Sequence, residues 1–279
     1  MEILINELSL CDHYSSEEQF IEFGITPFVS VLKELNNERD IVYKKSDLYN
    51  YSVTSSQTLH SFLNSNISRQ YDIIRKFKSL LFQFLFDEPY WEIDQKHTSD
   101  DSYLLAEKEV CGHSLAEACE RDRVIISFRS ENFNKTKIEI HKNEIEKITL
   151  DNLLDKGHCN ELNREKNIIC IEEYCINRFK GSKIDFSQID NKEGFLLLKK
   201  EDESIFIDAF RKFTELSWSD VFTDDGLDYK PYPDNDKIFR KIPYKIQKFR
   251  TSQKYRCFGY VSDSIFYVLR FDLEHKLSD

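Results

Sequence analysis

The last segment of the chain constrains the fold most. "IFYVLRFDLEHK" sets Ile265, Tyr267 and Leu269 on one side of an extended chain and Phe266 and Val268 on the other. A strand that is apolar on both faces is stable only inside a sheet covered above and below. "YRCFGYV" precedes it across a polar "SDS" turn, which predicts a closing hairpin. "ESIFIDAFRKFTELSW" can supply the cover, because Phe206, Ala209, Phe213 and Leu216 recur at helical spacing. Residues 196–279 are therefore expected to form a C-terminal antiparallel sheet with a packed helix.

Upstream the signals are more helical. "EILINELSL" reads as an edge strand, and "SSEEQFIEFG" as a helix capped at Ser15 or Ser16 and ended at Gly24. Thr26 and Pro27 restart a second helix, with Phe28, Leu32 and Leu35 on one face. The strongest helical pattern is "SRQYDIIRKFKSLLFQFLF", where Ile73, Phe77, Leu80, Leu81, Phe84 and Leu85 form a stripe that Pro89 ends. The middle offers a helix capped near Ser114, a strand from Val124 to Phe128, and "KTKIEIHK" as its antiparallel return. "IEKITLDNLLDKGHCNELN" and "IICIEEYCINRF" fit helix and strand equally. Together these patterns predict an α+β chain: a mainly helical region 1–110, a mixed α/β region 111–195, and the C-terminal sheet.

With 279 residues, 40% of them apolar, the chain can bury a core without disulfide or metal staples. Its seven glycines form neither G-x-G-x-x-G nor G-x-x-x-x-G-K-[ST], which excludes phosphate binding by those loops. Seven cysteines at irregular spacing fit free thiols in a reducing compartment. Acids stand where a leader peptide needs bases, and no apolar run approaches the roughly 18 residues of a membrane span. A cytoplasmic protein without membrane association and without a cofactor is expected.

The formal net charge is −11, yet "KIFRKIPYKIQKFRTSQKYR", residues 237 to 256, holds eight lysines and arginines and no acid. The rest of the chain then carries about −19. Lys237, Arg240, Lys241, Lys245, Lys248, Arg250, Lys254 and Arg256 are interleaved with Phe239, Tyr244, Phe249 and Tyr255. Cations for phosphates and rings for bases are what a single-stranded nucleic acid recruits. A solvated edge strand, or a face that neutralises the chain's own acids, gives the same composition.

A helix, this basic strand, and "YRCFGYVSDSIFYVLRFDLEHK" as a final hairpin resemble the C-terminal half of RelE/ParE-type toxins over residues 196–279. The resemblance implies an arginine-bearing strand paired with an apolar strand that ends in charged catalytic groups. In the ribonuclease members of that family, Lys, Arg, Tyr or His promote attack of the 2′-OH of messenger RNA and stabilise the charged phosphorane. By position, it implies Arg256 as the strand arginine and His275 with Lys276 as a terminal acid/base pair. The chain is much longer than those toxins and acidic where they are usually basic, and residues 1–195 have no counterpart in them.

His275 also stands out unaided: an imidazole beside Asp272 and Glu274 is equipped for general acid or base work. "RFDLEH" has the R-x4-H spacing of HEPN ribonucleases, but those need a helix where "IFYVL" favours a strand. Cys111, His113, Cys119, His158 and Cys159 are zinc-ligand types without paired zinc spacing, and Asp94-x-Lys96 faintly echoes PD-(D/E)xK nucleases. The reading that follows is a cytoplasmic RNA-binding or RNA-cleaving effector of bacterial toxin or phage-defence type, a metal-independent endoribonuclease if it cleaves. The alternative is a non-enzymatic adaptor, whose acidic N-terminal body docks a protein partner while its basic tract binds another partner or a nucleic acid.

Overall fold

Ile3, Leu4 and Ile5 are all fully buried, so the first strand lies in the middle of a sheet and not at an edge. Three consecutive apolar residues need a covered face on either side, which an edge strand with one wet face does not provide. The computed structural model describes residues 1–10, 14–35, 39–65, 72–79 with 80–85 as backbone, 89–190, 192–233, 238–274 and 276–277. The chain is α+β and divides into two units, Met1–Leu162 and Asn163–Asp279, not at residues 110 and 195.

The first unit runs β1 (Glu2–Asn6), α1 (Glu17–Gln19), α2 (Thr26–Leu32), β2 (Ile41–Tyr43), β3 (Ser52–Thr54), β4 (Gln57–Thr58), α3 (Leu59–Asn64) and α4 (Asp72–Leu85). It continues with β5 (Tyr103–Leu105), β6 (Lys108–Glu109), α5 (Ser114–Cys119), β7 (Val124–Ser127), β8 (Lys137–Lys142), β9 (Glu146–Leu153) and α6 (Lys156–Glu165), within which the division falls. The region expected to be mainly helical thus supplies strands to a seven-stranded sheet of order β2-β1-β7-β9-β8-β5-β6. Its first four strands are parallel and the remainder antiparallel. β7 and β8 do not pair as expected from the sequence, because β9 lies between them and pairs with both.

Alternation along β1 and β7 builds two cores. Ile3, Ile5, Val124 and Ile126 face Phe28, Phe77 and Phe128, whereas Leu4 and Ile125 face Leu115, Ala116 and Ala118 of α5. Ser16 caps α1 by accepting from the Gln19 amide, but Gly24 does not end the helix. The chain passes through a π-helical turn, Phe20–Ile25, directly into α2. Gly24 is a packing residue: a Cβ there would lie 2.7 Å from the Phe20 ring. In α4, Ile74 and Phe77 are fully buried and Ile73 is partly so, while the expected contributions of Leu80, Leu81, Phe84 and Leu85 lie outside the described side chains.

The second unit comprises α7 (Ile171–Phe179), β10 (Ile184–Asp185), α8 (Glu203–Glu215), α9 (Trp218–Thr223), β11 (Lys230–Pro231), β12 (Ile246–Arg250), β13 (Arg256–Ser262) and β14 (Ile265–Asp272). Its sheet has the order β10-β14-β13-β12-β11, antiparallel from β11 to β14, with β10 parallel to β14. As the sequence requires, β14 is an interior strand, and Phe206, Phe210 and Phe213 of α8 cover one face of the sheet. The Phe206 and Phe271 rings lie 4.6 Å apart, and those of Phe213 and Phe249 4.7 Å apart. Asp263 and Ser264 both take positive φ, as a two-residue turn matched to strand twist demands. No helix among the described residues is long and apolar enough to cross a membrane.

The β13–β14 register shifts at Phe258/Gly259: Phe258 faces Arg270 and Gly259 faces Val268, which leaves Leu269 as the extra residue. Gly259 is required there, since a Cβ would stand 2.2 Å from the Tyr267 carbonyl oxygen and 2.6 Å from the Phe266 ring. Gly259→Ala is expected to cost on the order of 2–3 kcal/mol by overpacking, read as a fall in the denaturation midpoint. An unchanged midpoint would show that the strands part without penalty.

Candidate nucleic-acid interface

The face of this second sheet opposite α8 carries the polar chemistry. Ile246, Lys248 and Arg250 of β12 stand beside Tyr260, Phe258 and Arg256 of β13, and these beside Tyr267, Arg270 and Asp272 of β14. Because side chains alternate, residues 247, 249, 257 and 259 belong to the other face. Phe249 is accordingly core, packed on Phe213 and Phe266, and is not available to stack on a base as the sequence reading had it. Phe239 and Tyr255 are also committed. Phe239 is buried against Phe258, and Tyr255 lies over Phe206 while its hydroxyl donates to Asp202 at 3.0 Å.

Three rings do form a ladder. Tyr244 stacks on Tyr260 at 4.5 Å and 3° between planes, and Tyr260 on Tyr267 at 5.2 Å and 18°. Tyr244 is half exposed. Tyr260 and Tyr267 were absent from the sequence-based set, although their place in a two-sided apolar hairpin is the signal that would have found them: their hydroxyls make them the amphipathic members of that pattern.

The basic tract is broken up by the fold. Arg240, Lys241, Lys245 and Lys254 are exposed, and Lys237 lies outside the described residues. Lys248 is 7% exposed, with its ammonium over the Tyr232 and Phe258 rings. Burial, then the neighbouring Lys230 and Arg256, hold its pKa below the ordinary lysine range. Arg250 donates to Asp228 at 3.1 Å, and Lys230 binds the same carboxylate at 2.9 Å, chiefly lowering its pKa. Arg270 pairs with Glu193 at 2.7 Å, and its Nε is buried without a hydrogen-bond partner. Two pockets meet at this pair, one of about 400 Å³ reached by Arg240 and Lys241, the other of about 510 Å³ reached by Tyr255 and Lys276.

Of the proposed catalytic groups, Arg256 donates from Nη1 to the carbonyls of Ser252, Gln253 and Tyr255, at 2.9, 3.2 and 3.0 Å, and so closes the β12–β13 turn. Its Cα partner is Asp272, whose carboxylate accepts from the amides of Glu274, Lys276 and Leu277 and folds the terminal loop back. Lys276 pairs with Glu274 at the surface, and His275 lies outside the described residues. In the first unit, Cys111, His113, Cys119, His158 and Cys159 do not share one cluster of contacts. His113 faces Glu7, His158 faces Asp155, and Cys119 and Cys159 are buried thiols that burial pushes up to about 12. Asp94 and Lys96 form an exposed ion pair at 2.8 Å.

No family model, no curated protein and no solved structure matches this chain. The terminal loop gives the interface its own test. Asp272→Ala removes three backbone hydrogen bonds to a charged acceptor and is expected to cost about 1–3 kcal/mol and to open residues 273–277 to carboxypeptidase. Equal digestion of the variant and the parent would show that Asp272 does not hold the loop.

Proposed function

We propose that the chain is an RNA-binding effector of bacterial toxin or phage-defence type, acting in the cytoplasm through the side of its C-terminal sheet opposite α8. The tyrosine ladder of residues 244, 260 and 267, on the same sheet face as Lys248, Arg250, Arg256 and Arg270, is the observation that carries this reading. Stacking is worth about 1–3 kcal/mol per base and tolerates any sequence, while lysines and arginines take the phosphates. The antiparallel order of β12, β13 and β14 under a packed helix supports the resemblance to RelE/ParE-type toxins.

Cleavage would place the phosphate between Arg256 and Lys276, with His275 next to Lys276 in sequence as the proposed acid/base partner. The adaptor reading draws on a specific observation, the use of the Arg256 guanidinium by three turn carbonyls. Lys276→Ala separates the two readings, since Lys276 is exposed and removable without harm to the fold. A ribonuclease loses cleavage at unchanged affinity, whereas an adaptor shows no cleavage by the parent.

The binding claim is tested with single-stranded RNA titrated at several salt concentrations. Affinity should fall steeply with salt, Lys241→Glu with Lys245→Glu should flatten the slope, and Tyr244→Ala, which removes the half-exposed outer ring of the ladder, should weaken binding at every salt concentration. The internal acids compete with phosphate for the same cations, so Glu193→Gln and Asp228→Asn should each tighten binding, by up to about fivefold for partly exposed pairs. Weak, salt-independent binding by the parent sinks the reading.

A further inference from the structure

Arg270 of the second sheet uses only half of its donor fork. Its Nε and Nη2 project on one side of the guanidinium, the geometry that takes two oxygens of a single anion. Nη2 donates to Glu193 Oε2 at 2.7 Å, whereas Nε is buried with no hydrogen-bond partner among the described residues. A buried donor left unmade is costly and calls for an acceptor.

The backbone fixes what surrounds it. The Asp190 amide donates to the Leu269 carbonyl at 2.8 Å and the Phe271 amide to the Glu193 carbonyl at 2.7 Å, so Asp190 and Glu193 are strapped to β14 on either side of Arg270. Leu269 is the extra residue of the bulge, and bulges re-aim side chains beside binding sites. The pocket of about 400 Å³ at this point brings Arg240, Lys241 and Arg270 together with the carboxylates of Asp190 and Glu193, against an apolar wall of Phe239, Ile242 and Leu269. The two acids differ. Asp190 Oδ1 accepts from the amides of Lys192 and Glu193, at 2.8 and 3.3 Å, and holds its own turn. The Glu193 side chain is half exposed, so its pair with Arg270 is the weak and replaceable one. With Glu193 displaced into solvent, three cations face one carboxylate, a balance that suits a dianion.

We infer, resting on the RNA-binding reading above, that this pocket holds the terminal phosphomonoester of an RNA strand, so that the interface receives a strand end. A phosphomonoester carries about −1.5 to −2 charge at pH 7 and three acceptor oxygens. Two of these answer both prongs of Arg270, and the third answers Arg240 or Lys241. A phosphodiester inside the strand brings one charge and two such oxygens, which leaves a cation of the pocket unanswered. The tyrosine ladder agrees with an end. Its rings already stack on one another at 4.5 and 5.2 Å, so no base enters between them and only the outer faces are on offer. A 5′-phosphate and a 3′-phosphate share this chemistry.

Oligouridylates of one length, carrying a 5′-phosphate, a 3′-phosphate or hydroxyls at both ends, are titrated with the intact chain at one salt concentration. A phosphate at one end should tighten binding by about tenfold or more, as an added charge-assisted contact does, and the end that responds identifies the source. Arg270→Lys keeps the charge and loses the fork, so the ratio of phosphorylated to hydroxyl affinity should fall towards one, whatever the change in affinity itself. Arg240→Ala with Lys241→Ala, at exposed positions, gives the same readout if Arg270→Lys does not fold. Equal binding of phosphorylated and hydroxyl strands overturns the inference and leaves the RNA reading standing. A ratio that neither variant lowers marks the added charge alone and overturns it as well. Binding of none of the three strands sinks the RNA reading, and this inference with it.

Discussion

The close approach of Gly259 to the Tyr267 carbonyl sets the geometry on which the C-terminal unit depends. It admits the one-residue shift that brings Tyr260 opposite Tyr267 while keeping Phe258 opposite Arg270 and Arg256 opposite Asp272. Without the shift, a side chain on β14 would change face at every position beyond it, since the period of a strand is two. The tyrosine ladder would lose a rung, or the Arg270–Glu193 pair would turn into the aromatic core. One missing Cβ therefore couples the stacking surface to the charged one.

Local signals in the sequence were enough for the elements of this unit and not for its faces. Phe206, Phe213 and the two-sided strand 265–272 are where their spacing puts them. Phe249 was misread because charge density along residues 237–256 drew attention from alternation: with Lys248 and Arg250 on one face, Phe249 must lie on the other. The shared face of Tyr267, Arg270 and Asp272 escaped because the last two lie beyond a bulge, and a bulge is invisible to a period-two reading.

In the first unit the limit is sequence separation. β1 pairs with β2 some three dozen residues later and with β7 beyond a hundred, as the partners of Ile3 at Val42 and Val124 show. Parallel pairing leaves no turn signature between partners, and both covered faces of β1 look like one short apolar run. Glu7 was passed over for the same reason. In sequence it is one acid among 50, and only the return of the chain to Ser114 and His113 makes it a buried carboxylate with a task.

Charge is distributed unevenly between the units, and this bears on how the basic face is kept in check. Residues 1–162 hold 29 acids against 18 lysines and arginines, while residues 163–279 hold 21 of each. The basic tract is thus balanced inside its own unit, and the balance is local: Asp228 holds Arg250 and Lys230, and Glu193 holds Arg270. Partly exposed pairs of this kind are worth at most about 1 kcal/mol each, too little to exclude a strand of RNA that offers several phosphates at once. They are enough to lower the affinity for an isolated anion, which replaces one pair and gains no stacking. Restraint of the face then needs no acidic body laid over it. If the face binds RNA as proposed, the acids within the sheet's own unit would set a threshold that a polyanion with bases passes and a simple anion does not.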